Sequence, residues 1–350
     1  MLKSLSLQNF RTYKKSQFNF DKSVIIIGAN TTGKSNLIES IYLLSSGKSF
    51  RAEKDAQMVA LGNEKGRVTA KIKDPDVDLE VVVTTGEVAG VKTQYKRFFV
   101  NKVAKRRVDF VGNLPSVLFS PEDLEIVAGS PGIRRSFLDH VLEQTDRDYR
   151  VALLGFTKAL RQRNALLELT KDTGRNVDKQ LEYWNTLTIR NGSVISKKRE
   201  EFIHYLNESN KNVFNFEIEY DKSEISKERF EKYYDAERAS GVTLVGPHRD
   251  DIFIYFEKEK ALRSFGSRGQ QRLGVLQLKL LELKYLKEKN GIEPILLLDD
   301  IFSELDENHI LLILEIINDQ QTILTTTHEE FIPNKIKKNM EIIELNGKKD

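Results

Sequence analysis

Apolar and polar positions along this chain follow two periods, and each change of period predicts a new element. Residues 2–10 alternate between apolar and polar side chains, which predicts a strand. Val24 to Ile27 is short, wholly apolar and β-branched, as is typical of a parallel strand buried on both faces. Residues 37–44 then place apolar side chains at helical spacing. The chain is therefore predicted to enter a buried strand and leave it through a loop into a helix.

The later part of the chain predicts a β region, a helical region and a second group of buried strands. Residues 67–108 alternate and are divided by turn residues, so they predict an antiparallel meander. Residues 130–213 are mostly helical by pattern, with a polar break at 171–179 that predicts an antiparallel helical pair. The pattern predicts an α/β protein with a head formed by 1–115 and 240–350, into which a largely helical arm, 116–239, is inserted.

The first candidate site lies between the buried strand and the helix. This segment fits G-x-x-x-x-G-K-[ST], the phosphate-binding loop. Backbone N–H groups and the positive end of the following helix bind phosphate oxygens in such a loop. Lys34 is expected to contact the β- and γ-phosphates, and the Ser35 hydroxyl to bind Mg²⁺. The predicted nucleotide-binding residues are Gly28, Ala29, Asn30, Thr31, Thr32, Gly33, Lys34, Ser35 and Asn36.

Two carboxylates form the second candidate site. Residues 295–298 are consecutive aliphatic residues that predict a buried strand, and Asp299 and Asp300 follow at its C-terminal end, where parallel sheets bind ligands. A buried carboxylate needs a cation partner, because leaving it unpaired is costly. This is the Walker B pattern, in which Asp299 holds Mg²⁺ and Asp300 orients the attacking water as general base. A strand that merely ends at an acidic turn is the alternative.

A third segment is rich in serine and glycine and precedes a helix with leucines spaced by three, four and three residues. Such a helix start is either a donor-rich anion site or an ordinary N-cap. Its candidate residues are Ser267, Arg268, Gly269 and Gln270.

Several other polar residues have two possible roles each. Arg11 is either a solvated loop charge or a phosphate contact. His328, after the strand predicted at 322–327, either senses the γ-phosphate or lies on the surface. For His248 a structural hydrogen bond is favoured over a role as catalytic base. The basic residues of the meander form either a solvated face or a phosphate-contacting one. The possible DNA-binding residues are Arg51, Arg97, Lys105, Arg106 and Arg107.

The composition limits the class of protein. The 350 residues include 55 Lys and Arg against 52 Asp and Glu, so a nucleic-acid-binding face would have to be a local patch. The absence of cysteine excludes disulfides, zinc fingers, iron–sulfur clusters and cysteine nucleophiles. The first residues alternate like a strand rather than a signal peptide, and no apolar run approaches the length of a bilayer span. A cytoplasmic protein is expected.

The phosphate-binding loop, the Ser-x-Gly-Gln segment, the Asp-Asp pair and a Ser-x-Leu-Asp turn at 303–306 occur in the order typical of ABC ATPases. Within that class the chain resembles the RecF family of bacterial recombination-repair ATPases over essentially its whole length. Residues 7–11, 119–124, 134–139 and 246–251 carry the same resemblance. It implies a P-loop NTPase head of the ABC and SMC-like type, with an antiparallel β subdomain and an inserted helical arm.

The resemblance also implies a function. It implies an ATP-driven homodimer with Mg²⁺, in which Ser267, Gly269 and Gln270 of one subunit contact the γ-phosphate bound by the other. Double-stranded DNA, gapped or at a single-strand junction, would be gripped through its phosphates. RecF-like proteins work with RecO and RecR to load RecA in DNA repair, replication and the SOS response. Asp300 stands where most ABC ATPases have a longer Glu, so slow, DNA-stimulated hydrolysis is expected, with ATP as a conformational switch.

Other classes of protein remain as alternatives. Another SMC-like ATPase of DNA maintenance would have a coiled-coil insert far longer than this arm. A transporter ATPase would lack the meander and the arm. A P-loop small-molecule kinase would need a lid and an acceptor pocket, and the Ser-x-Gly-Gln segment would have no role in it.

Overall fold

The computed structural model describes residues 1–20, 23–301, 320–327, 330, 332, 337 and 340–345. The turn at 303–306, the helix predicted for 310–317 and His328 lie outside the described residues. The chain forms two compact units: unit 1 is 1–123 with 282–350, and unit 2 is 124–281. Ser116–Phe119, assigned above to the arm, is a strand of the parallel sheet of unit 1. The division into head and arm stays a prediction.

The elements of the described residues follow in chain order. The strands are β1 (Leu2–Phe10), β2 (Tyr13–Asn19), β3 (Val24–Ile27), β4 (Lys65–Ile72), β5 (Val77–Thr84), β6 (Glu87–Val88), β7 (Val91–Lys92), β8 (Lys96–Val100), β9 (Val103–Lys105), β10 (Ser116–Phe119), β11 (Glu217–Asp221), β12 (Asp251–Glu257), β13 (Lys260–Ala261), β14 (Ile295–Asp299), β15 (Thr322–Thr326) and β16 (Glu341–Glu344). The helices are α1 (Lys34–Ser46), α2 (Arg107–Phe110), α3 (Glu125–Ala128), α4 (Pro131–Thr145), α5 (Arg147–Thr173), α6 (Asp178–Glu208), α7 (Lys227–Ser240), α8 (Leu262–Phe265) and α9 (Arg268–Asn290).

Unit 1 contains an antiparallel sheet of six strands in the order β2-β1-β4-β5-β8-β9. Its strands alternate between buried and exposed positions because one face packs on the core and the other faces water. Leu5, Leu7, Val68 and Val81 are buried on the inner face. The predicted meander is therefore confirmed, and the first two strands of the chain extend it.

A parallel sheet in the order β10-β14-β15-β3-β16 carries the candidate nucleotide site of unit 1. Every residue of β14 and β15 is buried, as expected for central strands of a parallel sheet that is covered on both faces. β15 lies between β3 and β14, and its register pairs Thr325 with Asp299 on one side and with Ile26 on the other. The C-terminal ends of β3, β14 and β15 therefore meet at one edge of the sheet.

Unit 2 contains the predicted antiparallel helical pair, α5 and α6. Asp146 caps the start of α5 by accepting from two backbone N–H groups, and Gly174 ends it in a left-handed conformation with φ 68°. The two helices approach closely at Gly155, where an added Cβ would lie 2.9 Å from the Asn191 side chain. β11, β12 and β13 form a small antiparallel sheet in the same unit. Among the described residues, no helix combines the length and the apolar composition needed to span a bilayer.

Candidate nucleotide-binding site

The phosphate-binding loop connects the C-terminal end of β3 to α1, as the sequence predicted. Thr31 and Gly33 have φ of 75° and 102°, which turns the loop so that α1 begins directly at Lys34. An added Cβ on Gly33 would lie 3.0 Å from both the Thr12 and the Tyr13 hydroxyl oxygens. Glycine is therefore needed there both for its backbone angle and for space.

Lys34 folds back over the loop. Its Nζ donates to the carbonyl oxygens of Gly28 at 2.6 Å and Ala29 at 3.0 Å. Burial lowers the pKa of Lys34, while the nearby charges of Asp300 and Asp299 oppose that shift. The ammonium group is thus held against backbone carbonyl oxygens of the loop, and its contact with phosphates stays a prediction.

Ser35 and Asp299 are 264 residues apart in sequence and in contact in the structure. The Ser35 hydroxyl donates to Asp299 Oδ1 at 3.1 Å, and the Thr325 hydroxyl donates to the same oxygen at 2.7 Å. Asp299 is only 7% exposed, and this burial raises its pKa, although the two hydroxyls act in the opposite direction. A hydroxyl and a carboxylate side by side are oxygen ligands of the kind Mg²⁺ prefers. The donor set therefore fits the predicted magnesium site.

Asp300 follows β14 in a left-handed conformation, with φ 53°. Its backbone N–H donates to Thr325, both to the carbonyl oxygen and to Oγ1, at 3.2 Å each. Left-handed backbone is uncommon for a non-glycine residue and is found at functional sites. The two carboxylates of the predicted Walker B pair therefore leave the strand in a backbone geometry set by β15.

Arg11 is not a solvated loop charge. Its guanidinium donates to both carboxylate oxygens of Glu39 on α1, at 2.8 and 2.6 Å, and to the Gln57 carbonyl at 2.9 Å. Glu39 is fully buried, and a buried carboxylate needs such a partner. Arg11 therefore joins the turn after β1 to the helix that follows the phosphate-binding loop; its predicted phosphate contact stays a prediction.

A second chain of polar contacts reaches the loop from the segment after α1. Asn36 donates to the Thr12 hydroxyl at 2.9 Å and accepts from Arg51 at 3.2 Å. The charge of Arg51 also acts to lower the pKa of Asp299. The structure thus brings Arg51 to the nucleotide-binding loop, which its sequence position did not predict.

The remaining basic candidates differ in their surroundings. Arg97 and Lys105 are exposed on β8 and β9, and the side chain of Arg106 is 73% exposed although it pairs with Asp109 at 3.0 Å. Arg107 is different, because its Nε and Nη2 donate to the Ser46 carbonyl at the C-terminal end of α1, at 3.0 and 2.6 Å. Arg107 therefore stabilises a helix end in unit 1.

The segment at 267–270 begins α9 with a capping box. Gln270 N–H donates to the Ser267 hydroxyl at 3.2 Å, and Ser267 N–H donates to the Gln270 side-chain oxygen at 2.8 Å. Ser267, Arg268 and Gly269 are exposed. The segment therefore caps α9 in the single chain, and the anion site and the contact with a second subunit stay predictions.

Two motifs that carried the family resemblance meet inside unit 2. Arg134 donates through two nitrogens to the Asp251 carboxylate, at 2.6 and 2.8 Å. Arg199 of α6 donates to Asp139 at 2.7 Å and to Asp250 at 2.9 Å. Asp250 is fully buried, so these motifs supply the charge pairing of the unit's interior.

His248 has the structural role favoured from the sequence. Its Nε2 lies 3.1 Å from the Thr243 carbonyl oxygen and donates to it. Its Nδ1 is buried and has no hydrogen-bond partner among the described residues. Burial lowers the pKa of His248 to about 4.

The parallel sheet with its phosphate-binding loop and carboxylate pair, together with the antiparallel sheet, defines a P-loop ATPase head of the ABC type. A family model described as the RecF/RecN/SMC N terminal domain matches residues 1–349. The chain belongs to the RecF family. The "DNA replication and repair protein RecF" of Bacillus cereus (strain G9842) is 33% identical over 374 residues, covering 100% of this chain and 98% of that protein. The same protein of Bacillus thuringiensis (strain Al Hakam) is also 33% identical with the same coverage.

Solved structures agree with this assignment. The recombination mediator protein RecF-ATPrS in the RecFOR pathway matches with a TM-score of 0.86 and 32% identity, covering 95% of this chain and 94% of that chain. The corresponding RecF-ATP structure matches with a TM-score of 0.85. The Smc head domain from Pyrococcus yayanosii shares the fold, with a TM-score of 0.52 at 14% identity over 98% of this chain and 94% of that chain. The predicted fold class and the predicted family are confirmed.

Proposed function

We propose that this protein binds Mg²⁺–ATP in unit 1 and uses slow hydrolysis as a conformational switch in DNA replication and repair. The observation that carries the proposal is the contact between Ser35 of the phosphate-binding loop and Asp299 at the end of β14. The family membership and the RecF-ATP relatives support ATP as the nucleotide.

Each residue of the site has a distinct task in this proposal. Lys34 exchanges the carbonyl oxygens of Gly28 and Ala29 for phosphate oxygens. Ser35 and Asp299 hold Mg²⁺, which neutralises charge on the phosphates when bound. Asp300 accepts a proton from the attacking water.

The switch acts through a second copy of the chain. The exposed residues of the capping box at 267–270 are available to a phosphate bound by another subunit, and a helix start favours negative charge. We infer that ATP closes an isologous dimer that retains duplex DNA at gaps, and that hydrolysis opens it. With RecO and RecR, the closed dimer promotes RecA loading. We also propose that the protein is cytoplasmic and has no membrane partner.

Sedimentation velocity with linear duplex DNA tests the proposal. Wild type should be monomeric without nucleotide and should form dimers that retain DNA with Mg²⁺–ATP. Lys34→Ala should bind no nucleotide, because the phosphates lose their cation, and should stay monomeric. Asp300→Asn should bind ATP normally, because only the proton acceptor is lost, and should accumulate the dimer.

Two results would contradict the proposal. A wild type that stays monomeric and ignores DNA at saturating Mg²⁺–ATP would favour a kinase-like protein. Turnover at ordinary enzyme rates, above about 1 s⁻¹, without DNA would rule out a slow switch.

A further inference from the structure

Thr325 of β15 forms hydrogen bonds with both residues of the Walker B pair, Asp299 and Asp300. Its hydroxyl donates to Asp299 Oδ1 at 2.7 Å, and the Thr325 hydroxyl oxygen, Oγ1, accepts from the Asp300 backbone N–H at 3.2 Å. Its own carbonyl accepts from the same N–H group at 3.2 Å. The residue is fully buried.

The register of the parallel sheet explains this placement. Thr325 pairs with Asp299 across the β14–β15 ladder and with Ile26 across the β15–β3 ladder. It therefore stands between the strand that leads into the phosphate-binding loop and the strand that carries the carboxylates. The neighbouring threonines on β15 point to the opposite face of the sheet, because side chains alternate along a strand.

We propose that Thr325 is a positioning residue for the ATPase site: its hydroxyl orients the Asp299 carboxylate and holds the backbone of Asp300. This inference rests on the proposed function, since it concerns how the proposed magnesium ligand and general base are aimed. Asp299 Oδ1 accepts from two hydroxyls, so its second oxygen keeps a defined direction. Asp300 keeps an unfavourable left-handed backbone, and the Thr325 oxygens are the acceptors that stabilise it.

A buried threonine can also have a purely structural role, in which its hydroxyl hydrogen-bonds to a nearby backbone carbonyl and does not orient the site. Thr322 on the same strand shows that case. It is also fully buried, and within the described part of the chain its hydroxyl donates to the Gln320 carbonyl, at 3.4 Å. The Thr325 hydroxyl also lies 3.4 Å from a strand carbonyl, that of Leu298, but its shorter hydrogen bond, at 2.7 Å, goes to the Asp299 carboxylate of the site.

Three variants separate the two explanations. Thr325→Val removes the hydroxyl and keeps the shape, Thr325→Ser keeps the hydroxyl, and Thr322→Val is the matched control on the same strand. Affinity for a fluorescent ATP analogue is measured with Mg²⁺ and with EDTA, beside kcat, KM and thermal unfolding. Groups that orient a metal ligand typically contribute about 10- to 100-fold to metal affinity or activity.

Thr325→Val should lower kcat by about tenfold or more. It should also lower the affinity for the ATP analogue in Mg²⁺ by about tenfold or more, with little change in the affinity in EDTA. Thr325→Ser and Thr322→Val should stay within about threefold of wild type. If Thr325→Val does not fold, Thr325→Ala makes the same comparison with Thr325→Ser.

The inference is overturned if Thr325→Val keeps the Mg²⁺-dependent affinity and kcat, or if Thr322→Val loses as much. It is also overturned if Thr325→Ser loses as much as the valine variant, because the hydroxyl would then be irrelevant. Failure of the proposed function looks different: wild type itself would show no Mg²⁺-dependent binding of the ATP analogue.

Discussion

His248 carries its single proton on the nitrogen that faces a carbonyl oxygen. Nε2 must hold the hydrogen in order to donate to Thr243, so Nδ1 is the nitrogen that a second proton would occupy. That position is buried, and no residue in the described part of the chain hydrogen-bonds to it; the positive charges of Arg249 and Arg135 act to lower the pKa further, opposed by Asp250. The folded protein therefore holds the imidazole neutral.

This neutral histidine predicts a pH dependence of stability. Its pKa is about 4 in the folded protein and about 6.5 in an unfolded chain, so the unfolded state binds more protons between these values. The free energy of unfolding of unit 2 should therefore fall by about 2–3 kcal/mol as pH drops from 6.5 to 4, and level off below. His248→Gln, which can still donate to Thr243, should remove this contribution.

Urea unfolding followed by the single tryptophan, Trp184 on α6, measures this effect in unit 2. The difference in the free energy of unfolding between wild type and His248→Gln should change as pH drops from 6.5 to about 4. The control is His204→Gln, at an exposed position of α6. Its curve of unfolding free energy against pH should follow that of wild type. Parallel pH curves for wild type and His248→Gln would contradict the prediction.

At the scale of elements, a buried ion pair joins three elements of unit 2. Arg163 on α5 donates to Glu237 on α7 at 2.5 Å and to Asn185 on α6 at 2.6 Å. Its guanidinium also lies 4.1 Å from the ring centre of Phe230. The two charged side chains are 3% and 1% exposed, so each depends on the other for its charge.

Arg163→Met should lower the free energy of unfolding of unit 2 by about 3–5 kcal/mol, because it leaves the Glu237 carboxylate buried without its cation. The double variant with Glu237→Gln should recover part of this loss. The control is Lys197→Met, whose ion pair with Glu201 at 4.0 Å is exposed and should contribute less than about 1 kcal/mol. Equal losses for the buried and the exposed pair, in urea unfolding followed by Trp184 fluorescence, would contradict the argument.

At the scale of the whole molecule, a net charge of only +3 means that any grip on DNA must come from local groups of cations. The structure divides the basic candidates into two kinds. Arg97 and Arg106 are exposed and able to meet a phosphate, whereas the Arg107 guanidinium is bound to the end of α1. DNA contacts are therefore expected from the first kind.

Arg97→Glu or Arg106→Glu should weaken DNA retention by the ATP-bound protein and spare its affinity for ATP. Each lost phosphate contact should also reduce the slope of log K against log salt concentration by about 1. Lys227→Glu makes the same charge change at a side chain that is 81% exposed in unit 2 and is the control. Fluorescence anisotropy with labelled duplex across a salt series measures both quantities.

If the slope of log K against log salt concentration is unchanged in both Arg97→Glu and Arg106→Glu, neither arginine contacts a DNA phosphate. Arg107→Glu should differ from these two variants, because it removes two hydrogen bonds from the end of α1. Its main effect should be a lower stability of the protein, not a change in DNA affinity.

The sequence by itself determined the order of the elements, the phosphate-binding loop and the carboxylate pair. These are local features: the residues of the loop are contiguous, and the alternation along a strand or the spacing along a helix is visible within one segment. The same local patterns predicted the meander, the helical pair and the family.

Only the tertiary structure decided which distant residues meet. Several threonines stand together in β15, and only the register of the parallel sheet places Thr325 beside Asp299. Arg11 looked like a loop charge until the fold brought it to Glu39, and Arg134 reaches Asp251 across 117 residues. The physical reason is the same in each case: a contact between separate elements depends on strand register and packing, which no single segment of the chain contains.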